Sequence, residues 1–164
     1  MNKNDIYKLL NNKKIWHEIV EHEVVYNMED LKKTKLLYPE YDAKNLFLCD
    51  DKKNYFLITV KGIKKINLKD FKNKYHTHSL SFTSPTELKE LMNLIPGEVG
   101  PFGLLNDKEA KIKFYIDEAF MTDSHLIGVH PNDNTVSLWL KVEDLIKIIE
   151  NNGNNIYFFN LWFT

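Results

Sequence analysis

Residues 96–107 read PGEVGPFGLLND. The chain has only six glycines and five prolines, yet Gly97, Gly100, Gly103, Pro96 and Pro101 crowd together here. Glycine admits positive φ and close backbone approach, and proline stiffens the turn around it. A rigid loop of this kind can aim successive backbone N–H groups at one point, a nest for an anion or for the oxyanion of an acyl transfer. The same glycines also suit a plain tight connection, and on the glycines alone that reading comes first. No Gly-Lys-Ser/Thr follows, and the loop leaves a helical pattern instead of entering one, so it is not a P-loop.

Other residues could do chemistry beside it. In Lys44-Asn45-Leu46-Phe47-Leu48, period two places Lys44 on the face of Leu46 and Leu48. A lysine at the mouth of an apolar pocket can hold a phosphate or carbonyl oxygen; the plain alternative is a strand-end lysine reaching for water. His130-Pro131-Asn132-Asp133-Asn134-Thr135 is a polar turn between two strand-like runs, and His130 is either a hydrogen-bonding pocket residue or a turn residue. His76-Thr77-His78 could put two imidazoles on one side of a strand, but no carboxylate or cysteine cluster completes a metal site. Cys49 lies in an apolar run without a neighbouring base, which fits a small core residue better than a nucleophile. There is no Gly-x-Ser-x-Gly elbow for a serine hydrolase.

The elements that position these residues are readable from pattern. Ser84-Pro85-Thr86-Glu87 combines a serine cap, proline at the first helical position and a glutamate that closes a capping box. Leu88, Leu91, Met92 and Ile95 follow on one face, and Pro96-Gly97 is placed to stop the helix. Asn67 before Leu68 and Asn27 before Met28 look like weaker caps. Val142, Leu145, Ile146 and Ile149 make another amphipathic stripe, with Gly153 set to end it. Residues 45–49 and 55–60, split by the polar DDKKN, read as a hairpin. Residues 111–117, 126–130, 135–140 and 155–163 read as further strands. Without a regular βαβ rhythm, this predicts a single α+β domain with a mixed, curved, barrel-like sheet flanked by helices.

Composition narrows the function classes. The 43% hydrophobic and 13% aromatic content argues for an ordered globular protein. No segment is apolar enough for a signal peptide or membrane span, so a soluble, cytoplasmic protein is expected. All 22 basic residues are lysines, against 23 acidic residues. Such a balance predicts no tight non-specific nucleic-acid binder, and any polyanion contact rests on lysines and backbone N–H groups without guanidinium forks.

In order and spacing, these features match one family. The chain resembles the YbaK/ProX-like aminoacyl-tRNA deacylases, related to the editing domain inserted in bacterial prolyl-tRNA synthetase. It looks most like their free-standing members that clear alanine wrongly attached to proline tRNA. The resemblance is carried by Lys44-Asn45-Leu46-Phe47-Leu48, by SPTELKELMNL ahead of Pro96-Gly97, by Gly97-x-x-x-Pro101 leading into Gly103-Leu104-Leu105-Asn106-Asp107, and by His130-Pro131-x-x-Asn134-Thr135. It spans residues 27 to 149 or so and implies one editing domain over residues 1–164 that hydrolyses the ester between an amino acid and the terminal adenosine of tRNA. The family uses neither a metal nor a covalent enzyme nucleophile, and no cofactor is expected. The resemblance makes Lys44, Gly100 and His130 the catalytic set, with Asn45, Gly97, Glu98, Val99, Pro101 and Asn134 binding substrate. Backbone amides of residues 97–101 would hold the carbonyl, Lys44 the terminal phosphate or the carbonyl, and His130 the aminoacyl group or ribose, while water attacks. Alanine is the favoured leaving amino acid; cysteine or serine, or a non-catalytic module binding tRNA or a synthetase, stay open. Expected partners are the acceptor end of mischarged tRNA and prolyl-tRNA synthetase, with the protein a monomer or weak dimer. Lys32, Lys33 and Lys35, or Lys69, Lys72 and Lys74, are candidate phosphate contacts or merely solvated helix faces.

Overall fold

The computed structural model describes residues 1–24, 37–62, 64–122 and 125–160. The Asn27 cap and the Lys32, Lys33 and Lys35 contacts lie outside the described residues. The chain opens with helix α1 (Lys3–Asn12), which Asn2 starts by a reciprocal capping box with Asp5. Strand β1 (His17–Glu21) follows. The expected hairpin is β2 (Ala43–Cys49) and β3 (Tyr55–Lys61), antiparallel, with Leu48 opposite Phe56 and Asn45 opposite Thr59. Asp50 closes its turn by accepting from the Lys52 and Asn54 N–H groups.

Helix α2 (Leu68–Tyr75) begins where Asn67 accepts from the Lys69 and Asp70 N–H groups. The short strand β4 (Ser81–Phe82) pairs with the end of β2 and leads into α3 (Pro85–Met92). Ser84 and Glu87 form the capping box read from the sequence. The helix ends before Pro96-Gly97, however, because Asn93 takes the left-handed conformation and donates to the Lys89 carbonyl. That turn directs Leu94 into the core and leaves Ile95 on the surface, 54% exposed.

A 3₁₀ turn over Pro101–Asn106 joins the glycine loop to β5 (Ile112–Asp117). Then come β6 (Leu126–Val129), β7 (Val136–Lys141), α4 (Val142–Asn152) and β8 (Ile156–Phe159). Gly153 ends α4 at φ 99°, a left-handed value that glycine adopts without strain.

The strands make a five-stranded sheet in the order β4-β2-β3-β5-β8 and a three-stranded one in the order β1-β7-β6. β5 runs parallel to both β3 and β8, whereas the other pairings are antiparallel. The α+β class and mixed pairing are as the sequence predicts, and the sheet is divided in two. The halves touch at a bridge between Asp42 and Gly128. A β-carbon on Gly128 would stand 2.4 Å from Asp42 Oδ1 and 2.5 Å from Trp139 Nε1, so only glycine fits there.

Both sheets contribute to one core, which takes Phe47, Leu57 and Phe114 from the larger sheet and Ile127, Val129 and Leu138 from the smaller. α1, α3 and α4 close it with Leu10, Met92 and Leu145. The reverse face of the larger sheet buries Leu48, Phe56, Ile58 and Tyr115 against Phe71 of α2. No described helix is long and apolar enough to cross a membrane.

Candidate active site

A cleft of about 350 Å³ opens where the two sheets, α3 and the glycine loop converge. Its volume lies in the range that small ligands occupy. Alternate residues of β2 form one wall, Ala43, Asn45 and Phe47. The stretch from Phe82 to Pro85, together with Leu88, contributes a second. Pro96, Gly97 and Val99 supply a third, and His130, one residue beyond β6, completes the lining.

The loop carries the donors. Gly97 sits at φ 96°, and a β-carbon there would come 3.3 Å from Asn134 Nδ2. Glu98 turns away from the cleft: its N–H donates to the Ile95 carbonyl, and its carboxylate accepts from the Ile95 N–H. Among the described residues, nothing accepts from the N–H groups of Gly97, Val99 and Gly100. Gly100 is buried, and a buried N–H without an acceptor is rare in folded proteins. The backbone at Gly100 is fully extended, which any residue can adopt. A side chain there would project between the His130 carbonyl, 3.5 Å from its β-carbon, and Asn45 Nδ2, at 3.9 Å. Pro101 is buried and, having no N–H, anchors the start of the 3₁₀ turn.

Asn45 is oriented by its cross-strand neighbour. Thr59 Oγ1 donates to Asn45 Oδ1 at 2.7 Å, leaving the Nδ2 donors on the Gly100 side. His130 Nδ1 lies 2.8 Å from the Val136 carbonyl. A carbonyl can only accept, so Nδ1 carries the proton and Nε2 of the neutral ring is an acceptor. Burial pushes the His130 pKa down, helped by nearby His22 and opposed by the Val136 bond, so the ring is neutral near pH 7.

Lys44 is not among the residues that line the cleft. It shares its face with Leu46 and Leu48, as the alternation predicts, but Ala43 and Asn45 on the other face line the cleft. Lys44 is exposed, next in sequence to two lining residues, and its side chain makes no hydrogen bond or ion pair to a described residue. Asn134 is partly buried against Gly97. Lys72 bonds Ser79, and Lys74 bonds Asn160 and covers the Tyr75 ring, which ties both to the far side of the sheet.

Three features escaped sequence reasoning. His22 lies with its ring centroid 6.3 Å from that of His130, and its Nε2 is 2.9 Å from Ser137 Oγ. The antiparallel pairing of β1 with β7 brings it there, across more than a hundred residues. Asp42 is withdrawn from solvent beside Trp139, and burial raises its pKa to about 7 against the opposing Trp139 hydrogen bond. Phe82 and the capped start of α3 join the cleft although the sequence marks them only as a helix start. Among the described residues, no group of three or more His, Cys, Asp or Glu is arranged to hold a metal ion. His76 caps α2, and His78 lies near Asp51 on the surface.

Residues 22–148 match the family model of the aminoacyl-tRNA editing domain. The chain is 38% identical over 142 residues to the prolyl-tRNA editing protein ProX of Acetoanaerobium sticklandii, covering 86% of each. It is 32% identical to prolyl-tRNA synthetase associated domain-containing protein 1 of Mus musculus, over 84% of this chain and 83% of that one. Its fold matches the crystal structure of a candidate trans-editing enzyme for prolyl tRNA synthetase with a TM-score of 0.69, at 14% identity over 98% of this chain and 97% of the other.

Proposed function

The chain belongs to the aminoacyl-tRNA editing domain family, and from that membership we propose that it is a trans-editing deacylase that hydrolyses the ester of mischarged proline tRNA, with alanine as its amino acid. The observation that carries the reading is the set of unclaimed N–H donors on Gly97, Val99 and Gly100: Gly97 and Val99 line the cleft with His130, whose Nε2 is an acceptor, and Gly100 adjoins them against the His130 backbone.

In this mechanism the ester carbonyl enters the loop and its oxygen meets those N–H groups. A water molecule adds to the carbonyl carbon, and the negative charge that develops on oxygen is stabilised by donors already in place. One such donor is worth about 3 kcal/mol of transition-state stabilisation. The tetrahedral intermediate then collapses, the bond to the ribose oxygen breaks, and that oxygen takes up the proton given up by the water. Free alanine and an uncharged tRNA end result. His130 Nε2 accepts a hydrogen bond from the terminal ribose hydroxyl and so aligns the ester, while Asn45 Nδ2 donates towards the aminoacyl group. The chain's contribution is positioning and electrostatics, with no covalent intermediate.

Lys44 takes the terminal phosphate. Its exposure, next in sequence to two lining residues, supports a contact with a group outside the cleft better than one with the carbonyl inside it. Proline is rejected by size in a site shaped for alanine, the easier direction of steric discrimination. The names of the relatives point to prolyl-tRNA synthetase as a partner through shared proline tRNA.

The test is hydrolysis of proline tRNA charged separately with alanine, cysteine, serine and proline, with EDTA present. Selective release of alanine supports the reading. Release of cysteine or serine instead keeps the mechanism and changes the substrate. Tight tRNA binding with no release makes the chain a binding module.

A further inference from the structure

Phe82 is 66% exposed, more than any other large apolar side chain among the described residues. Isolated exposed hydrophobics are ordinary, but this one has a particular place. It sits on β4, held by pairing with Leu48, belongs to neither core cluster and lines the cleft. Of the other aromatic rings at the cleft, Phe47 is packed in the core at 4% exposure, and His130 is anchored edge-on by its Nδ1 bond. Among the described residues, Phe82 therefore offers the cleft its one broad ring face open to solvent. Pro96, also exposed, lines the same cleft with a flat apolar surface.

We propose that Phe82 is the platform on which the terminal adenine of the aminoacyl-tRNA stacks, positioning the ester for the Gly97–Gly100 donors. This rests on the deacylase reading above. An ester whose carbonyl oxygen lies at the loop carries its ribose, and then its base, outward to the lip of the cleft. The base is the largest apolar surface of that end, and it needs a partner that binds without ordering a flexible side chain. Arginine, the usual cationic stacking partner, does not occur anywhere in the chain. Base–aromatic stacking is also indifferent to the tRNA body and suits an enzyme that reads only the acceptor end.

The experiment compares wild type, Phe82→Ala and Phe82→Trp on alanine-charged proline tRNA, and on the same RNA with a terminal nucleotide lacking its base. Phe82→Ala should raise KM about 10- to 100-fold with kcat nearly unchanged, and Phe82→Trp should restore it. The abasic substrate should cost wild type a similar factor and cost Phe82→Ala little more. Thermal unfolding of each variant should match wild type, since the ring is outside the core. Wild-type KM in an active Phe82→Ala enzyme overturns the platform and leaves the deacylase intact, as does a base-removal penalty undiminished in that variant. Absence of turnover by wild type on every aminoacyl-tRNA overturns the deacylase reading, and the platform with it.

Discussion

Thr59 and Asn45 face each other across the β2–β3 hairpin, and the buried Thr59 hydroxyl donates to Asn45 Oδ1 at 2.7 Å. An amide held by its oxygen has its nitrogen end assigned, here to the Gly100 side. Thr59→Val keeps the shape and the β propensity but removes the donor. It should cost about 1 kcal/mol of stability, measured by urea unfolding. It should also lower kcat/KM several-fold, whereas Thr59→Ser should retain most of the activity.

Gly97 and Gly100 are adjacent in role and differ in physics. At Gly97 the left-handed φ and the nearby Asn134 amide oppose any side chain, so Gly97→Ala should lose about 1–2 kcal/mol in denaturant titrations. At Gly100 the extended backbone accepts alanine, and the nearest protein atom is at ordinary contact distance. Gly100→Ala should therefore fold with nearly wild-type stability. Its methyl group intrudes beside His130 and Asn45, and displacing the ester should lower kcat/KM about 10- to 100-fold in single-turnover assays.

Lys44→Ala should remove most of the activity while thermal unfolding stays at the wild-type temperature. A phosphate contact predicts a KM effect of about 10- to 100-fold that shrinks as salt rises, because screening weakens the wild-type attraction. A salt-independent fall in kcat would instead place the ammonium at the carbonyl. Wild-type turnover would remove Lys44 from the site.

The pH dependence contains two opposed contributions. His130 binds its proton more weakly in the folded state than in the unfolded chain, whose imidazole titrates near ~6.5. Its contribution to stability is full above that value and is lost as pH falls through the window below it. Asp42 has the reverse sign. Its folded pKa of about 7 exceeds the unfolded value, so the stability it contributes in acid is lost as pH rises from ~4 to 7. Asp42→Asn should flatten the urea-unfolding profile on that side. In turn, the activity profile should lose its acid limb in His130→Gln.

Much of the fold was legible because local signals decided it. The Ser84–Glu87 box, the Asn67 cap, the 50–54 turn and Gly153 each satisfy backbone groups within a few residues. α1 carries the same kind of signal in Asn2 and Asp5. The site was harder to read. Alternation correctly grouped Lys44 with Leu46 and Leu48, but the face that meets the cleft is chosen by His130 and the loop, which arrive from distant segments. His22 reaches His130 only through strand pairing, and nothing local to Asp42 announces a carboxylate beside a buried tryptophan. The helix end moved from Pro96 to Met92 because Asn93 can take a left-handed turn by itself.

The cleft lies across the seam between the two sheets: Asn45 belongs to one, while His130 hangs from the other. Apart from the shared core, the two sides are stitched around Asp42, by its bridge to Gly128 and by the hydrogen bond it accepts from Trp139. A substrate seated there works as a clasp. Pulling the sheets apart would first have to release it, so an occupied cleft should make the molecule harder to open along that line than an empty one. Its grip on the ester and its resistance to being opened are then the same property, felt from inside and from outside.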